Sequence, residues 1–141
     1  MKYNDLIQLF FERSNSLQWY WTVYIFVIGG LVAFASFRQR RDLVKTVLVT
    51  VLFCCFAYKN LDAIHDVTVQ RFATLKLIQE SSPTGPDAAD IKRVRDDLEP
   101  TLALALPEFG GATGVRNFHV FCTLLTIITL WVMEYHRKND E

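Results

Sequence analysis

The sequence predicts an all-α integral membrane protein. It has three transmembrane helices, an N-terminal interfacial amphipathic helix, a long second helix extending out of the bilayer, and a small helical extramembrane lobe between helices two and three. Three observations carry this expectation. Apolar residues make up 51% of the 141 positions and charged residues 21%, and the charges are segregated: Leu17–Phe37 and Phe118–Met133 hold none, and Leu43–Tyr58 holds only Lys45. Uncharged apolar runs of about 18–20 residues are the signature of membrane spans. No Gly or Pro interrupts residues 42–82, so the helical pattern of the second span runs on past its apolar part. Finally, strong breakers cluster at SSPTGP, residues 81–86, and around Pro107, Gly110 and Gly111, which sets the segment before the third span apart.

Residues 1–16 read as a short amphipathic helix. Asp5 and Gln8 resemble a capping pair, and Leu6, Ile7, Phe10 and Phe11 fall on one face. Such a segment is expected to lie in the membrane interface. The transmembrane hairpin covers 17–58, with spans at 17–37 and 42–58. Trp19, Tyr20, Trp21 and Tyr24 cluster at the start of span one, where an aromatic belt would sit. Gly29, Gly30, Ala33 and Ser36 form a small-residue face that lets a second helix approach closely. The Ala33-Phe34-Ala35 triplet has the A-x-A pattern of a signal-peptidase site. The preceding side chains balance to zero charge, however, and Arg38, Arg40 and Arg41 follow as after a stop-transfer span.

Span two begins near Asp42 and leaves the hydrocarbon around Tyr58. Asp42–Glu80 as one helix would be roughly 58 Å long, about twice the hydrocarbon thickness. Residues 59–115 are therefore read as an extramembrane stalk and lobe. Leu61, Ile64, Phe72, Leu75 and Ile78 continue as an apolar stripe that needs a cover. Ile91, Val94 and Leu98 and then Leu102, Leu104 and Leu106 in the lobe, and Leu6, Phe10 and Phe11 at the N-terminus, are the candidates. The third span is 116–135, with Trp131 and Tyr135 at its far interface, followed by a charged tail at 136–141.

The hairpin loop carries Arg38, Arg40, Arg41 and Lys45, and the tail carries Arg137 and Lys138. That density of cations near span ends predicts a cytoplasmic hairpin loop and C-terminus, with the N-terminus and the 59–115 lobe outside the cell membrane.

Two mildly polar stripes run along otherwise apolar spans: Thr46, Thr50 and Cys54 on span two, and Thr123, Thr126 and Thr129 on span three. They suit helix–helix contact through hydroxyl-to-carbonyl bonds, or the lining of a pore. Against a pore, the apolar runs contain no carboxylate, where ion pathways usually place one. His119 and Cys122 share a face and lie at a depth near Cys54 and Cys55, a donor set that would suit copper or zinc. Free cysteines more often pack as small hydrophobes. Asp62, His65 and Asp66 make a polar cluster just beyond span two, best read as a solvated helix face.

No nucleophile–base pair or metal constellation stands out, so an enzyme is not expected, nor is a cofactor. The net charge of zero implies no attraction to nucleic acid. The expected function is that of a small structural or accessory membrane subunit. It would act through association of its spans and lobe in the lipid bilayer, as a homo-oligomer or within a larger membrane complex. The alternative is a homo-oligomeric channel or transport component lined by the threonine stripes; a weaker one is an intramembrane metal or redox site.

Overall fold

A computed structural model describes residues 3–80, 88–89, 92–93 and 112–137. Every element among them is helical: α1 is Tyr3–Phe37, α2 is Leu43–Glu80 and α3 is Ala112–Tyr135. All three are long and apolar enough to span a membrane. Ile91, Val94, Leu98, Leu102, Leu104 and Leu106, expected to cover the stalk, lie outside the described residues.

The chain forms two compact units, 1–17 with 65–115, and 18–64 with 116–141. In the second unit α1 and α3 run parallel and α2 runs antiparallel, a three-helix bundle. Trp21, Tyr24, Val27, Ile28 and Leu31 of α1 pack with Phe53, Phe56 and Ala57 of α2 and Cys122 and Ile127 of α3. The buried positions repeat at steps of three, four and seven residues, as Thr46, Phe53, Ala57, Asn60 and Ile64 on α2 and as His119, Thr126, Leu130 and Glu134 on α3. Those steps keep one seam of each helix facing its neighbours. The outward faces are apolar, with Phe26, Leu52 and Phe121 among the most exposed side chains. Such surfaces suit lipid.

In the other unit, Leu6 and Phe10 of α1 pack on Leu75 and Ile78 of α2, with Tyr3 and Ile7 at the margin. The guanidinium of Arg71 lies 5.1 Å from the Phe10 ring centroid. Part of the apolar stripe beyond Tyr58 is thus covered by Leu6 and Phe10 of the N-terminal segment, whereas Phe11, expected beside them, is exposed.

Several expectations need correction. Residues 1–16 are not a separate helix, because α1 runs unbroken through Ser14 and Ser16. Both serines fold their hydroxyls onto the carbonyls four residues back, Phe10 at 2.8 Å and Glu12 at 3.0 Å, so neither diverts the helix. The aromatic cluster is not a single belt either. Trp19 points outward at 66% exposed, whereas Tyr24 is buried at 1%. Five residues separate them, and the helix turns that interval to opposite sides. The bundle unit also extends past Tyr58 as far as Ile64. Asn60 and Ile64 are still buried there.

Candidate functional site

Helices buried in lipid gain little from placing one apolar face against another, so polar side chains mark the sites that hold them together or act. The bundle unit has two such layers. The first is centred on His119 of α3, 1% exposed. Its ring stacks on Tyr24 of α1 at 4.1 Å between centroids and lies 5.8 Å from Trp21. Thr123 donates its hydroxyl to the His119 carbonyl one turn back, at 2.9 Å. The Thr123 oxygen then accepts from the Tyr24 hydroxyl, 2.7 Å away, and that hydroxyl is also 3.2 Å from the His119 carbonyl. Asn60 of α2 approaches His119 Nε2 at 3.3 Å. With the Asn60 amide donating, the ring is neutral and carries its proton on Nδ1, 3.5 Å from Thr123 Oγ1. One imidazole thus ties all three helices.

The second layer is centred on Glu134 of α3, also 1% exposed. Its carboxylate pairs with Arg137, and Arg38 Nη1 stands 3.7 Å from it. The carboxylate also accepts the backbone N–H of Asp42, at 2.6 Å. Arg38 donates to Thr46 Oγ1 at 3.0 Å and to the Asp42 carbonyl at 3.1 Å. Arg137 donates to the Arg38 carbonyl at 3.1 Å and to the Ala35 carbonyl. The end of α1 leaves carbonyls unsatisfied and the start of α2 leaves N–H groups unsatisfied. Here a cation meets the first and an anion the second, as the helix dipoles favour. Asp42 caps α2 in addition: its Oδ1 accepts the Lys45 N–H at 3.1 Å, and Lys45 Nζ pairs with Oδ2 at 2.8 Å. These bonds from Lys45, its side chain first, hold the Asp42 carboxyl below its ordinary value.

The two layers stand at matching intervals. Tyr24 and Arg38, Thr46 and Asn60, and His119 and Glu134 are each fourteen or fifteen residues apart. At 1.5 Å per residue that is roughly 21–22 Å on every helix.

The expected site residues are distributed differently. Gly29, Gly30, Ala33 and Ser36 are all on the exposed side of α1. A Cβ added at Gly29 or Gly30 would meet nothing within 4 Å. With Thr22, Ile25 and Phe26 the two glycines line an open hollow of about 380 Å³. The face therefore packs against neither α2 nor α3. The threonine stripes are bonded along their own helices: Thr50 to the Thr46 carbonyl, Thr126 to that of Cys122 and Thr129 to that of Leu125, at 2.8–2.9 Å. Cys54 and Cys55 are exposed, and Cys122 sits in the Tyr24 cluster. Cys54 shares with His119 an open, largely apolar hollow of about 200 Å³. Among the described residues no three His, Cys, Asp or Glu side chains could hold a metal ion. Ile64 is fully buried, Leu61 lines the same hollow as His119, and Phe72 is half-buried. His65 stands 3.7 Å from Asp66, while Asp62 turns to Lys59 at 3.9 Å.

Asn60, Arg38, Glu134 and Arg137 were missed as a set by sequence reasoning. The available signal was a lone acid one residue beyond an uncharged run, with arginines just outside two neighbouring span ends. No known protein family, curated protein or solved structure matches the chain.

Proposed function

We propose that this protein is a small, non-enzymatic subunit of a membrane assembly, and that the Gly29–Gly30 face of α1 receives a helix from a second copy or another subunit. The observation that carries this reading is the open space beside both glycines. Each glycine inside a helix costs about 1 kcal/mol relative to alanine. Two in succession on a face that no described residue covers gain nothing from those residues, whereas they let another backbone approach closely. The buried Tyr24, Asn60, His119 and Glu134 side chains, by contrast, are engaged in joining α1, α2 and α3. The hairpin loop and C-terminus face the cytoplasm in this reading. A cysteine at Gln39 should then resist impermeant thiol reagent in intact cells lacking the native cysteines, and one at Asn117 should react. The opposite pattern reverses the orientation.

The test of function is assembly size in mild detergent. Gly30→Leu should leave the bundle folded, since the side chain enters open space, and should lower the assembly size or strip a co-purifying subunit. Leu125→Ile, on an exposed position of α3, should do neither. If Gly30→Leu keeps the full assembly, the proposed contact is wrong.

A further inference from the structure

We infer that the hairpin end of the bundle binds the phosphate headgroups of anionic phospholipids through Arg40, Arg41 and Lys45. The level of this end in a bilayer follows from its rim. Phe37 at the end of α1, Leu43 and Val44 at the start of α2, and Trp131 and Tyr135 near the end of α3 are all exposed. An exposed aromatic and aliphatic rim of this kind sits at the boundary between acyl chains and headgroups. The turn at 38–42 and the first turn of α2 then lie among the headgroups.

The cations here fall into two sets. Arg38 and Arg137 are drawn inward, with side chains 15% and 9% exposed, and their donors go to Glu134, Thr46 and helix-end carbonyls. Arg40, Arg41 and Lys45 are exposed, and the pairing of Lys45 with Asp42 is a surface one that a phosphate can replace. Over 38–45 and 134–137 there are five cations, Arg38, Arg40, Arg41, Lys45 and Arg137, against the two carboxylates of Asp42 and Glu134. Adding Lys138, Asp140 and Glu141 from the sequence that follows leaves six against four. The surplus is positive either way. Zwitterionic headgroups supply no net counter-charge, whereas a phosphatidylglycerol headgroup does. Arginine's planar fork matches a phosphodiester's paired oxygens. A lipid is favoured over a soluble phosphate because Phe37, Leu43 and Val44 lie next to these cations and offer a surface for acyl chains.

The experiment reconstitutes the full chain into vesicles of equal parts phosphatidylcholine and phosphatidylglycerol. After mild extraction, the lipids retained are weighed by native mass spectrometry. Phosphatidylglycerol should be enriched over phosphatidylcholine. Near the surface each basic residue is worth about fivefold in anionic lipid binding. Arg40→Gln with Arg41→Gln should therefore remove most of the enrichment, and Lys45→Gln a smaller part. Arg116→Gln, at the opposite end of the bundle, should change nothing. All of these positions are exposed, and melting temperature in neutral detergent checks that each variant is folded. The inference fails if the wild type retains both lipids equally, if the double variant keeps the wild-type enrichment, or if Arg116→Gln abolishes it as well. It also fails if inorganic phosphate, and not chloride at matched ionic strength, displaces the lipid; the site would then be one for a soluble anion.

Discussion

Glu134 is the only carboxylate in α3, and it is shared between two guanidiniums and a backbone N–H. Removing it strands two cations whose surroundings were arranged around its charge. A deeply buried pair broken in this way costs roughly 3–5 kcal/mol. This one lies at the end of a bundle, where water reaches the turn, so the range for hydrogen bonds to charged groups, roughly 1.5–3 kcal/mol, applies instead. Glu134→Ala should lower the melting temperature in detergent by that equivalent. Glu134→Gln should lose less, because its amide oxygen can still accept from Asp42. Equal losses would mean that the N–H contact contributes nothing. The sequence hid this residue for a simple reason. Hydropathy places an acid just past Met133 in the headgroups, and its partner Arg38 is remote along the chain.

At the scale of elements, the three long apolar helices were legible, whereas the start of α1 at Tyr3 was not. Uncharged runs located the spans, and the lack of Gly or Pro foretold the continuity of α2 through Glu80. The faces were harder to read. In water the apolar stripe of a helix points inward, but in lipid both faces are apolar, and polar or aromatic residues can mark the inside. Tyr24, Asn60 and His119 are inside, and Gly29 and Gly30 are not. The start of α2 offers a test through its cap. Asp42 has a depressed carboxyl, so its ionised form is favoured by folding. That contribution is present above the ordinary value of 3.8 and is lost as pH falls through the lower folded value. Asp42→Asn keeps a capping oxygen but no charge. The wild type should melt higher than Asp42→Asn at neutral pH, and the gap should close as pH drops below that value. A gap independent of pH would show that the Lys45–Asp42 charge pairing does not contribute.

For the molecule as a whole, matching intervals on three helices have a consequence for where in a cell it can reside. The His119 and Glu134 layers are roughly 21–22 Å apart, while an average hydrocarbon core is ~30 Å thick. The outward faces agree: from Phe118 to Tyr135 on α3 is about 26 Å, and from Val44 to Tyr58 on α2 about 21 Å. A thicker bilayer must thin around the bundle or carry its polar layers into oil, at a fraction of a kcal/mol per Å. The bundle should therefore be most stable in short-chain phosphatidylcholine and lose melting temperature as the chains lengthen. A rise with chain length would contradict this. Because all three helices agree on the interval, tilting one of them cannot relieve the mismatch without pulling a tyrosine from a histidine or an arginine from a glutamate. The bundle is in this sense a caliper, closed on a particular thickness of oil, and membranes that differ by a few ångströms would sort it.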